Sequence, residues 1–151
     1  MRAVLQRVKM AQVDVDGQIV GRIGRGLLVF VGALQGDTEE DVRFIGRKLA
    51  SIRLFPDDAG KMNLSVSEIG GQVLLVSQFT LAANTTSGTR PSFSAALEPP
   101  AARQMLNQLA AAVSGQGIPV ETGEFGAKMS VELTNDGPVT IVLDSRDKAR
   151  K

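Results

Sequence analysis

No histidine, cysteine, tyrosine or tryptophan occurs among the 151 residues of this chain. Without imidazole or thiol, His-based acid–base catalysis, Cys nucleophiles and the common zinc sites are excluded. Without Tyr or Trp, six Phe are the only aromatic side chains available for packing or stacking. Any catalysis must therefore use hydroxyls, amides, carboxylates, amines, the main chain or groups on the substrate itself. Neither a metal nor a cofactor is expected. Charge of one sign is also lacking: 17 Lys and Arg face 16 Asp and Glu, for a net +1. Such a balance makes no demand for nucleic acid, and RNA binding would have to come from local basic clusters. The N-terminus alternates apolar and polar residues from the start, so neither a signal peptide nor a spanning helix is expected. With no export signal, a cytoplasmic location is the default expectation.

What is present fits one domain with a substantial core, residues 1–145, followed by a charged tail over 146–151 that is expected to be disordered. Ala3 to Val8 and Val13 to Gly21 alternate as strands do, and Asp16-Gly17 is a two-residue turn signal within the second run. Gly24 and Gly26 flank Arg25, but no Gly-Lys-Ser/Thr follows, so a nucleotide-binding loop is dismissed. Leu27 to Ala33 is a continuous apolar run, expected as a strand covered on both faces. Asp37 and Glu40 suggest a capping box for a first helix with Val42, Ile45, Leu49 and Ile52 on its buried face. Arg53 to Phe55 and Val120 to Thr122 are short extended candidates. Pro99-Pro100 opens a second helix whose apolar stripe is Ala102, Met105, Leu106, Leu109 and Val113. Met129, Val131 and Leu133, then Val139, Ile141 and Leu143, alternate on either side of Asn135-Asp-Gly-Pro138 and predict a hairpin. Strands outnumber helices, which predicts a compact α/β domain with a largely antiparallel, curled sheet and two main helices.

The stretch with most chemistry is Leu74-Leu-Val-Ser-Gln-Phe-Thr-Leu81. It has strand character, yet Ser77, Gln78 and Thr80 place three polar side chains in it. Buried polar groups need partners. Either this is a strand end that satisfies itself against loops, or a strand opening into a pocket with those residues at the rim. Ala83 to Arg90, beyond it, is either a loop over that pocket or merely a connection.

Ser77-Gln-Phe-Thr-Leu81, Gly88-Thr-Arg-Pro-Ser-Phe-Ser94 and, further on, Asn135-Asp-Gly-Pro-Val-Thr140 together resemble the D-aminoacyl-tRNA deacylases (D-tyrosyl-tRNA deacylases). The resemblance extends from Met1-Arg-Ala-Val-Leu-Gln-Arg7 to Asp144-Ser145. It implies a three-layer β/β/α fold and a homodimer with the active site at the subunit interface. It also implies hydrolysis of the ester that joins a D-amino acid, or mischarged glycine, to the 3′ end of tRNA, with L-aminoacyl groups rejected sterically. By the same resemblance Ser77, Gln78, Phe79 and Thr80 form the catalytic pocket, with main-chain N–H groups around Gln78 and Phe79 as oxyanion donors. Gly137-Pro138 would be a cis dipeptide that enters the partner's pocket and serves as the chiral wall. Gln6 and Arg7 lie beside the active site in the family, and with Met129 and Phe93 are the remaining substrate-binding candidates. Phe93 fits a place near the adenine or in the core equally well. Lys61-Met-Asn-Leu64 resembles a further family segment near the pocket. Ala82 departs from the pattern, since an aromatic often follows this motif in the family.

Thr80 is either a nucleophile or a positioning group. No His exists to activate its hydroxyl, so a positional role is preferred, with the ribose 2′-hydroxyl of the substrate assisting attack. Two other readings compete. One is a Ser/Thr esterase using Thr80 or Ser77 with Lys61 as base; the other is a dimeric binding module with no open pocket beside Ser77.

Overall fold

In a computed structural model, which describes residues 1–149, the chain is organised around one long strand. β1 (Arg2–Val15) runs without a break through the two segments that alternate separately in the sequence. Asp16 and Gly17, with φ of 50° and 78°, form the expected tight turn into β2 (Gln18–Ile23). β3 (Gly26–Gly32) pairs antiparallel with the first half of β1. β6 (Gln72–Ser77) then lies parallel to β3, and the short β7 (Val120–Thr122) parallel to β6. Between β3 and β6 the chain forms helix α1 (Glu39–Ser51) and a small two-stranded sheet, β4 (Phe55–Pro56) with β5 (Met62–Leu64). Helix α2 (Pro99–Ser114) starts at the Pro pair, as its sequence predicts.

Alternation along the central strands explains the layers. Leu27, Val29 and Val31 of β3, with Val73 and Leu75 of β6, join Val42, Ile45, Leu49 and Leu109 in a core beneath the two helices. Their sequence neighbours Leu28, Leu74 and Val76 face the other way, into a second core with Val8, Ala11, Val13 and Ile23. The sheet therefore curls over itself on one side and carries helices on the other. This is the β/β/α layering that the sequence led us to expect, antiparallel around β1 and parallel from β3 to β7. Leu109 is fully buried, so its replacement by Ala should cost about 2–5 kcal/mol.

Three expectations are corrected. The predicted hairpin around Asn135-Asp-Gly-Pro138 does not form. Both alternating runs belong to a single strand, β8 (Ser130–Asp144), which pairs with β1 from Asp14↔Ser130 to Arg2↔Asp144. Thr140 opposes Gln6 and Asn135 opposes Val8, so residues 136–139 bulge out of the ladder without reversing the chain. Next, the cap of α1 is Thr38. The Asp41 carboxylate accepts from Thr38 N–H at 2.8 Å and from its hydroxyl at 2.9 Å. Asp37 is drawn elsewhere, to the buried Met1 amine at 2.5 Å and to Leu34 N–H at 2.7 Å. Last, Ser145–Ala149 forms a 3-10 helix with the Ser145 hydroxyl under the Met1 amine, so the tail expected to be disordered does not begin at 146. Arg150 and Lys151, also part of that expectation, lie outside the described residues.

Candidate active site

The strand expected over Leu74–Leu81 ends at Ser77, and Phe79–Ala82 turns into a 3-10 helix. The end of β3 shows why there is room for this. A Cβ on Gly32 would sit 2.8 Å from Gln78 O and 3.1 Å from the Leu81 side chain, so only glycine lets the turn close against that strand. The turn is pinned at both ends: Gln78 N–H donates to Val31 O at 2.8 Å, and Arg2 donates to Leu81 O at 2.9 Å. Arg2 is itself held by Asp144 at 3.1 Å. The Arg146 guanidinium, and then Arg2, hold the Asp144 carboxyl well below the usual carboxylate range.

Where the strand gives way to the turn, a pocket of about 650 Å³ opens. That volume lies inside the ~300–1,000 Å³ range of small-ligand sites. Ser77, Gln78, Phe79, Phe93 and Met129 all line it. Phe79 and Phe93 meet edge to face at 5.1 Å between centroids, so Phe93 is a pocket wall and not a core residue. The loop from Ala83 is closed at its base by reciprocal main-chain bonds between Asn84 and Ser92, and so delivers Phe93 to the wall. Thr80 stands just outside, exposed, its hydroxyl accepting a hydrogen bond from Gln78 Nε2. Every buried side-chain polar atom among the described residues has a partner. The polar rim is therefore not a defect in the core.

Gln78 N–H is spent on Val31, which removes one of the two expected oxyanion donors. Phe79 and Thr80 open the 3-10 turn, where the first N–H groups have no acceptor inside the helix. The main-chain N–H groups that this turn leaves without a main-chain acceptor are thus those of Phe79 and Thr80, one residue further on than expected.

Gly137 and Pro138 are not part of this pocket wall. They form the exposed tip of the β8 bulge, and their peptide bond is cis. The rest of the motif holds that tip in place. The Asn135 side chain accepts from Val139 N–H at 2.8 Å and donates to Val139 O at 3.1 Å, closing the bulge at its neck. Arg7 donates from Nε to Asp136 O at 2.8 Å and from Nη1 to Leu54 O at 2.6 Å, bracing the bulge from beneath. Gly137 has φ of 152°, and a Cβ there would lie 2.7 Å from Val139 Cγ2. Arg7 is therefore a positioning group for the dipeptide. Gln6, half-buried within the sheet between Leu28 and Thr140, is likewise outside the pocket.

Lys61 is exposed in the β4–β5 turn, its main chain tied to Asp57, and with Met62–Leu64 it stands outside the pocket wall. The base needed by the esterase reading is not at the site, while the open pocket beside Ser77 speaks against a mere binding module. Sequence reasoning missed the far wall, formed by Glu98, Pro99 and Ala102 at the start of α2 and by Phe125 to Ala127. The only signal there is Gly126 at φ 80° inside a loop, too common to mark a site.

These features define a class: a β/β/α protein with a pocket at a strand end, furnished with main-chain donors and hydroxyls and lacking imidazole and thiol. The sequence profile of the D-Tyr-tRNA(Tyr) deacylase family matches residues 4–144. The chain belongs to that family. It is 56% identical over 144 residues to a D-aminoacyl-tRNA deacylase of Ruegeria pomeroyi, covering 95% of this chain and 99% of that one. A D-aminoacyl-tRNA deacylase of Geobacter sulfurreducens is 50% identical over 149 residues, with 99% and 98% covered. Among solved structures, a c-Myc DNA unwinding element binding protein superposes with a TM-score of 0.91 at 37% identity, covering 95% of this chain and 98% of that one. A probable eukaryotic D-amino acid tRNA deacylase, at 19% identity, shares the fold with a TM-score of 0.80 over 94% of this chain and 97% of its own.

Proposed function

We propose that this protein hydrolyses the ester of D-aminoacyl-tRNA, releasing free amino acid and tRNA, and does so as a homodimer in which each site draws on two chains. The 3′-terminal adenosine occupies the pocket, with Ser77 and Gln78 at its rim and Phe79, Phe93 and Met129 as walls. The aminoacyl ester is already activated, so the protein needs only to orient it and stabilise the charge that develops. Water, assisted by the ribose 2′-hydroxyl, adds to the ester carbonyl; Phe79 and Thr80 N–H groups face the resulting oxyanion. Collapse breaks the bond to the ribose 3′-oxygen, which leaves with a proton. Thr80 keeps its hydroxyl engaged with Gln78 and shapes the turn.

The observation that carries the two-chain reading is the separation of socket and plug. Gly137-Pro138 is braced by Arg7 and Asn135, projects from the surface and does not line its own chain's pocket. Its strand favours a second copy as the missing partner. β8 has no fully buried residue along its 15-residue length although it carries Val131, Leu133, Val139 and Ile141, and Val142 is 71% exposed. A long edge strand with apolar side chains invites pairing. In the partner's pocket the main-chain carbonyls of Gly137-Pro138 would hold the α-amino group and occupy the space of an L side chain, while glycine passes. No helix among the described residues is long and apolar enough to cross a membrane. A tRNA substrate favours the cytoplasm as the protein's location. Hydrolysis of matched D-, L- and glycyl-tRNA by the purified protein tests this. The D- and glycyl esters should be cleaved and the L-ester spared; equal rates on D and L would overturn it.

A further inference from the structure

A second cavity adjoins the pocket and is left unused by the reaction just described. It measures about 290 Å³ and shares Ser77, Leu106 and Phe125 with the larger one, so the two are contiguous. Its chemistry differs. Arg103 and Asn107, one turn apart on α2, face Thr122 at the end of β7 and Glu124 just beyond it. The Arg103 guanidinium lies over the Phe125 ring, 5.1 Å from its centroid, at the junction of the two cavities. The other three side chains make no hydrogen bond to protein among the described residues, so an amide, a hydroxyl and a carboxylate are all available.

We propose that this cavity is the subsite for the penultimate nucleotide of the tRNA 3′ end, a cytidine. The inference rests on the placing of the terminal adenosine in the main pocket. Every aminoacyl-tRNA ends in C-C-A, so the nucleotide attached to that adenosine is a cytidine joined through one phosphate. Arg103, at the junction, supplies the cation for that phosphate. Cytosine offers an exocyclic amine as donor beside two acceptors, N3 and O2. The Glu124 carboxylate complements the amine, and the Asn107 amide complements an acceptor. Glu124 is the telling residue. A carboxylate would weaken a site built only for anions, but it favours a base with an exposed amine. Uracil, which places a carbonyl oxygen where cytosine has its amine, would set an acceptor against the acceptor-only Glu124 carboxylate.

Chemical-shift titrations with CpA, UpA and adenosine 5′-monophosphate test the subsite without relying on turnover. CpA should bind about tenfold or more tightly than UpA, in keeping with the discrimination of a paired base edge. In Glu124→Ala the gap between CpA and UpA should close, and in Arg103→Ala both dinucleotides should weaken. Equal binding of CpA and UpA to the unaltered protein, or a gap that persists in Glu124→Ala, would overturn the subsite while leaving the deacylase reading intact. Should adenosine 5′-monophosphate fail to bind, the adenosine placement is overturned and the subsite that rests on it falls with it. If none of the three binds, both are overturned.

Discussion

The two family motifs solve opposite problems with the same material. Ser77–Ala82 interrupts a buried strand and leaves a hollow; Asn135–Thr140 interrupts an edge strand and makes a projection. The hollow is held by the Gln78 N–H on Val31 O and by the Arg2 guanidinium on Leu81 O, the projection by the side chains of Asn135 and Arg7. One is concave and lined with Phe; the other ends in a glycine and a proline with nothing to reach beyond the backbone. A rigid backbone plug is a more dependable steric filter than a side chain that can swing aside. On the proposed reading, the comparison assigns selectivity and chemistry to separate parts of the chain.

The largest effect should come from the plug. Gly137→Ala places a methyl group into Val139 and strains the backbone at positive φ, so D-aminoacyl-tRNA hydrolysis should fall about 10²-fold, as for other small displacements of positioning groups. Arg7→Ala, which removes the brace without touching the tip, should shift the ratio of D to L hydrolysis more than it shifts adenosine binding. If Arg7→Ala leaves that ratio untouched, the bracing role is wrong. In the hollow, Thr80→Ala should cost less than about tenfold, because loss of a true nucleophile or its base is expected to cost ~10²–10⁴-fold or more. Single-turnover rates decide between these; complete inactivation with folding intact would make Thr80 the nucleophile.

A smaller effect links the two regions at neutral pH. Asp144 at the end of β8 holds Arg2, which holds Leu81 O in the turn. Its carboxyl is depressed in the folded protein, so its contribution to stability is present above the ordinary value of 3.8 and is lost as pH falls below it. Asp144→Asn should therefore lower the urea midpoint at pH 7, and the difference from the unaltered protein should close progressively below pH 3.8. A difference that stays constant down to full acid unfolding would show that the carboxylate's charge is not what matters.

Much of this was legible in the residues. The continuous apolar run from Leu27 marked β3 as covered on both faces, and Pro99-Pro100 marked the start of α2. Two errors share a cause, which is that local signals do not report what the opposing element demands. Asn-Asp-Gly-Pro reads as a reversal, yet Asn135 closes a bulge because β1 continues alongside to pair with both flanks. Asp37 reads as a cap, yet the buried amine of Met1 claims it. Likewise Leu74–Leu81 reads as one strand, because nothing local reveals that Gly32 leaves space for a turn at Gln78. The far wall of the pocket was illegible for a plainer reason: Ala102 and Phe125 are far from Ser77 in sequence and meet it only once α2 has packed.

The central claim is that the plug of one chain serves the hollow of another, and mixed dimers test it most directly. Ser77→Leu fills the hollow but keeps the plug; Pro138→Ala spoils the plug but keeps the hollow. Co-expressed and verified as heterodimers by mass, these two variants should recover D-selective hydrolysis that neither homodimer shows. One site then combines an intact hollow with an intact plug, while the other carries both defects. If verified heterodimers recover nothing, each site is built within a single chain and the account is contradicted.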